Sequence, residues 1–313
     1  MSGSSKKAVV VALISNFAIV VVKFIAFFMT GSASMFSEAL HSTADTSNQA
    51  LLMVGMSRSD KPSDKIHPFG YGGERYFVGF VVAVVLFSLG AITSINEGMA
   101  RLSHPTEFSS PYVALAVLGM SLVLESISLA KAISESKGEM KSNESIFRFA
   151  KRTKIAELPV VLAEDIGGIA GLLVALAGTL LTIITGNEIF DAAGSIGIGV
   201  LLGLIAIFLG LEMKSLLLGE AADPTVEAWI HAAILSNENI RGIAHLRTLH
   251  LGPTDLLVAA KVFFDSNASL SNVAAQIDLI EAEIRSKIPM ARLIYLESDV
   301  RKQYQDHNQS DSS

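Results

Sequence analysis

The segment SEALHSTADTSNQA, residues 37–50, lies between apolar runs and carries Glu38, His41, Asp45 and Asn48. Their spacings of three, four and three put all four on one stripe of a helix, because residues three and four apart are surface neighbours. A second polar group stands in ELPVVLAEDIGGIAG, residues 157–171, where Glu164 and Asp165 interrupt another apolar run. Imidazole and carboxylate together suit a borderline divalent cation, Zn²⁺ first, with Mn²⁺, Fe²⁺ or Co²⁺ as alternatives. His41 and Asp45, one turn apart, can reach the same ion. Asp165 from another helix would supply a third ligand, and Glu164 or water a fourth. The competing reading is that these groups hydrogen-bond to one another and only hold helices together. The chain has no cysteine, which excludes disulfides, thiolate metal sites and cysteine nucleophiles. It also has no HExxH motif and no nucleophile elbow, which argues against a membrane-embedded metalloenzyme.

The elements that must position these residues are hydrophobic. Half of the 313 residues are apolar, 17% are charged and the mean hydropathy is +0.49, a balance that fits a polytopic membrane protein with soluble mass attached. Apolar runs extend over Ala8–Thr30, Ala33–Met56, Phe77–Arg101, Tyr112–Ala132, Ile155–Thr185 and Ile189–Met213. Each is long enough for a transmembrane helix of about 20 residues. The second is the least apolar, because the polar stripe lies in it. Basic residues fall on one side: Lys6 and Lys7, Arg58 to Arg75 between spans two and three, Lys137 to Lys154 between four and five, and Lys214. The other side has only Arg101, so both termini are expected in the cytoplasm. The absence of a transit-peptide pattern and the short chain favour a bacterial cell (inner) membrane.

From Ser215 the character changes. Pro224 marks a helix start. IRGIAHLRTLHLGP and DLLVAAKVFFD read as strands around a Gly-Pro-Thr-Asp turn. Val273, Ile277, Ile280, Ile284 and Ile288 recur at helical spacing behind the cap candidate Ser269, and ARLIYLESDV closes as a strand. The expected class is an all-α six-helix transmembrane domain plus a small α+β domain of order αββαβ, helices on one face of a sheet. The boundaries are residues 1–7 for the N-terminus, 8–214 for the membrane domain, 215–300 for the soluble domain and 301–313 for a disordered tail.

Other polar residues fall inside the spans. Asn16 and Lys23 share a face of span one; Lys23 could pair with an acid or snorkel. Glu125, deep in span four, is a candidate proton carrier or supporting partner. Asn96, Glu97 and Asp191 sit near outer ends, where interfacial solvation accounts for them.

TGSASMFSEALHSTADTSNQALL, HPFGYGGERY and PVVLAED, with six spans and an αββαβ tail, resemble the cation diffusion facilitator family. HSxADTxNQ with LxED is most similar to its zinc transporter nine-like branch, whose eukaryotic members are mitochondrial. The resemblance implies export of divalent metal, chiefly zinc, in exchange for protons by alternating access, with no enzymatic activity, no organic cofactor and no nucleic-acid partner. It implies a transport site of His41 and Asp45 from span two and Asp165 from span five. Val161 stands where the family carries a fourth ligand, and Glu164 is the candidate substitute. Glu38 and Asn48 become supporting members of the stripe. The resemblance also implies a ferredoxin-like cytoplasmic domain that pairs with a second copy. There His245 matches a common ligand position, but Lys261 and Leu296 replace the others, so weak metal binding or none is expected. His67 with Asp64 or Glu74 is a further candidate site in the loop. A non-transporting scaffold or regulator is the rival reading, made stronger by Val161.

Overall fold

The computed structural model describes residues 3–104, 110–137, 140 and 144–300. Lys6 and Lys7 lie in its first helix, whose side chains are described from Asn16 onward; Lys141 and the tail from 301 lie outside the described residues. The chain forms two compact units, one built on residues up to Lys61 and on Gly73–Leu217, the other on Pro62–Gly72 and residues from Leu218 on.

The first unit is helical. Its long helices are α1 (Gly3–Thr30), α2 (Ala33–Ser59), a third made of α3 (Glu74–Val85), π-helical turns (Leu86–Ile92) and α4 (Thr93–Ser103), then α5 (Pro111–Ser136), α7 (Glu157–Thr185) and α8 (Ile189–Leu218). Among the described residues, four stretches are long and apolar enough to cross a membrane: Glu74–Ser103, Pro111–Ser134, Glu157–Thr185 and Ile189–Leu218. In α1 the described apolar part is the shorter Asn16–Thr30. The polar stripe keeps α2 below the same mark, yet α2 is central, packed against α1, α3, α4 and α7. The basic segment before α7, for which the sequence reading names no element, contains a short helix, α6 (Ile146–Arg152), capped by Ser145. Its Phe149 is buried beside Ala132 and Leu162, and that apolar anchor is what orders it.

Two local devices hold α2 in place. Ser32 caps its first turn, accepting a hydrogen bond from the Met35 amide at 3.0 Å. Asp191 on α8 reaches the same end, accepting from the Ala33 amide at 2.6 Å and the Ser32 hydroxyl at 2.8 Å. Interfacial solvation does not account for Asp191, which is 5% exposed. The physical reason is the helix N-terminus, where unpaired amides and the positive dipole end favour a carboxylate.

The second unit carries α9 (Pro224–Leu235), β1 (Ile240–Gly252), β2 (Asp255–Phe264), α10 (Leu270–Lys287) and β3 (Leu293–Val300), the expected αββαβ order. The sheet order is β1-β2-β3, antiparallel between β1 and β2 and parallel between β2 and β3. A parallel pair needs a crossover, and α10 supplies it. Ser269 caps α10 and Asp223 caps α9 with Pro224 in the first turn. Alternate residues of β2, Leu256 to Phe264, are buried with Ile230 and Ile234 of α9 and Ile280 and Ile284 of α10. One sheet face is therefore covered by both helices.

Candidate metal centre

Helices α1, α2, α5 and α7 enclose a cavity of about 100 Å³ lined by Asn16, Ser42, Asp45, Gln49, Glu125, Ser128, Val161, Glu164 and Asp165, among others. It holds four carboxyl groups from three helices. Like charges at this density repel, so the cavity is built for a cation or for protons between the acids.

His41 is buried, with its Nε2 3.6 Å from Asp45 Oδ2, and neither ring nitrogen has a hydrogen-bond partner. Asp45 Oδ1 is likewise buried without one. Unmet polar atoms at this depth are costly unless a ligand completes them. Asp165 accepts from the Ser128 hydroxyl at 3.2 Å, and Glu164 accepts from the Asn48 amide at 2.5 Å. Thus the structure brings Asp45, Glu164, Asp165 and Glu125 to one cavity, with His41 beside Asp45. Among the described residues, no three His, Asp or Glu side chains close into a ready-made ligand set.

The upper end of the stripe is different. Lys23, 1% exposed, donates to Glu38 Oε2 at 3.2 Å and to Ser42 Oγ at 2.7 Å. Of its two sequence readings, pairing holds and snorkelling does not. Asn16, seven residues earlier on the same face, donates to Gln49 at 2.8 Å. Two glycines make room on α7. A Cβ on Gly168 would lie 3.2 Å from His41 Nε2, and one on Gly171 would lie 2.9 Å from Glu38 Oε1. Neither glycine stands out by motif or composition. Their one signal is the three-residue spacing, which repeats on α7 the spacing of Glu38 and His41 on α2.

Of the outlying candidates, His67 stands beside Asp64, while Glu74 and His245 have other neighbours. Asp64 accepts from the amides of Ile66 and His67 at 2.8 and 2.7 Å and from Tyr71 Oη at 2.7 Å, while His67 Nδ1 lies 3.7 Å from it. Those hydrogen bonds, the His67 amide foremost, hold the Asp64 carboxyl below its usual value. Glu74 instead faces Arg58 at 4.0 Å. The Asp64–Tyr71 stretch is a turn organised by one carboxylate. In the soluble unit His245, Lys261 and Glu297 stand in register across the sheet. Lys261 Nζ sits 3.0 Å from Glu297 and 3.2 Å from Asp299, which hold the ammonium above its ordinary value. A side-chain cation already fills that row.

The cation efflux transmembrane domain family matches residues 9–218. The chain belongs to the cation efflux family. It therefore carries that family's transmembrane domain. A mitochondrial protein named proton-coupled zinc antiporter SLC30A9, from Xenopus laevis, is 35% identical over 282 residues, covering 89% of this chain and 50% of that one. Metal tolerance protein C4 of Arabidopsis thaliana is 32% identical, covering 86% and 59%. Magnetosome protein MamB of Magnetospira sp. (strain QH-2) is 23% identical and covers 86% of each chain. The chain thus spans about half the length of the antiporter relatives it matches. Among solved structures, the cadmium form of a single-residue variant of the MamM C-terminal domain shows 19% identity and a TM-score of 0.24, covering 25% of this chain and 98% of that one.

Proposed function

We propose that this member of the cation efflux family carries Zn²⁺ out of the cytosol in exchange for protons, through His41, Asp45 and Asp165 with Glu164 beside them. The observation that carries the reading is the His41–Asp45 pair, one turn apart, with both nitrogens of the buried His41 and Oδ1 of the half-buried Asp45 unpartnered. Two ligands of a tetrahedral zinc at bond lengths of about 2.0 Å stand roughly 3.3 Å apart. The observed 3.6 Å is close to that edge. Mn²⁺, Fe²⁺ and Co²⁺ are weaker substrates in this reading, because an imidazole favours zinc over manganese. No organic cofactor and no nucleic acid takes part.

The chemistry follows from one set of atoms serving two ions. Metal ligands must shed protons to bind, so the loaded site has neutral His41 and ionised Asp45 and Asp165. When the helices rock to face outward, protons compete for the same nitrogen and oxygens and release the metal. Lys23 keeps Glu38 neutralised and outside that exchange. Glu38 and Asn48 act as supports, Asn48 by orienting Glu164. His67 and His245 have no part in transport.

The reading includes both termini in the cytoplasm, supported by the one-sided basic residues. It includes a bacterial inner membrane as residence, a reading the 35% identical mitochondrial relative does not share. It also includes pairing of two copies through the α+β domain, residues 215–300, as the family resemblance implies. The test is a metal panel in proteoliposomes loaded with a pH dye. Zn²⁺ uptake with proton movement in the opposite direction is the expected result. His41→Ala and Asp45→Ala should each abolish it while leaving the elution profile unchanged. Wild-type zinc flux in either variant would sink the site, and no flux in the wild type would favour a scaffold.

A further inference from the structure

Val161 leaves an apolar patch on the wall of the α1–α2–α5–α7 cavity, one turn from Asp165, where a ligand would complete a four-sided site. The acids around it are not equivalent. Glu164 accepts from Asn48 and Asp165 accepts from Ser128, while Glu38, outside the lining, pairs with Lys23 through one oxygen. Glu125 on α5 lines the same cavity and has neither hydrogen bond nor ion pair among the described residues. Its carboxyl and the His41 imidazole both border Gly168. The carboxyl carbon and Oε2 lie 3.5 Å, and His41 Nε2 3.2 Å, from the single point where a Cβ on Gly168 would sit. Gly168, with no side chain, leaves open one point that is bordered by a buried, unpartnered nitrogen and by a carboxyl without a hydrogen bond among the described residues.

We propose that Glu125 is a direct ligand of the transported metal, supplying from α5 the donor that Val161 does not supply from α7. The inference rests on the zinc reading above and deepens it. Hard carboxylate oxygen beside imidazole keeps the donor set in the range a borderline divalent cation accepts. The site then joins three helices, α2, α5 and α7. Glu164, oriented by Asn48, stands at its edge.

The experiment uses the full chain in detergent, titrated with Zn²⁺ against a competing chelator and with Co²⁺ as a spectroscopic probe. The proteins are wild type, His41→Ala, Glu125→Gln and Glu125→Gln with Val161→Asp. Even supporting partners of a ligand are worth about 10–100-fold in affinity, so losing a ligand should weaken Zn²⁺ at least about tenfold. The visible Co²⁺ bands should change in Glu125→Gln, and Val161→Asp should restore both affinity and a four-ligand spectrum. If Glu125→Gln does not fold, Glu125→Asp replaces it and is expected to bind less tightly, because the shorter side chain retracts its oxygens. Wild-type affinity with an unchanged Co²⁺ spectrum in either variant would overturn the proposal. So would weakened binding with an unchanged spectrum and no rescue, the signature of a merely positioning residue. Equal binding by wild type and His41→Ala would instead remove the zinc site itself, and this inference with it.

Discussion

At the residue scale, the informative feature is which polar groups satisfy one another and which do not. Lys23 pairs with Glu38 through Oε2 and leaves its Oε1 unmet, while both nitrogens of His41 and Oδ1 of Asp45 are unmet. Removing one member of a buried ion pair strands the other charge, which costs about 3–5 kcal/mol. Lys23→Met should therefore lower thermal stability sharply in detergent, measured by melting of the purified protein. The double change with Glu38→Leu should recover most of the loss, since a well-packed apolar pair of similar volume is often neutral. Failure of the second substitution to rescue the first would mean the pair does more than neutralise itself. The stripe itself was legible in sequence from helical spacing alone. The division of its members was not, because Lys23 lies on another helix and its reach is a matter of packing.

At the element scale, α2 is the scaffold of the site, and its register is set from outside. Asp191 accepts from the first amides of α2 and binds Ser32. Replacing a capping side chain by Ala costs about 1–2 kcal/mol. Asp191→Ala should show that loss in chemical or thermal melts and should shift zinc transport with it, although Asp191 lines no part of the cavity. A second element, the Asp64 turn, has a pH signature. Its carboxyl is held below the usual range, so its contribution is complete above the ordinary Asp value of about 3.9 and fades as pH falls through the lowered one. Hydrogen-exchange protection of the Ile66 and His67 amides should persist from neutral pH down to about 4 and disappear only below it. Asp64→Asn should remove the pH dependence. Sequence periodicity located every long helix here, with ends displaced by a few residues. It did not locate α6, whose order comes from one buried phenylalanine, nor the π-helical turns at Leu86–Ile92.

At the scale of the whole molecule, the proposed six-span arrangement would put both ends of the chain on the same side. The absence of cysteine makes the arrangement directly measurable. Ser59→Cys, at the end of α2, and Asn187→Cys, between α7 and α8, should react with an impermeant thiol reagent from opposite faces of sealed vesicles. Labelling of both from one face would overturn the six-span arrangement. Composition and hydrophobic periodicity determined the class, the helices, the αββαβ order and the polar stripe, because those depend on local spacing and on the cost of burying charge. Only the tertiary structure decided which acids face one cavity, that Lys23 pairs with Glu38, that Asp191 anchors α2, and that Glu125 and His41 both border Gly168. These are contacts between residues far apart in the chain. Helix packing sets them, and no local pattern records it.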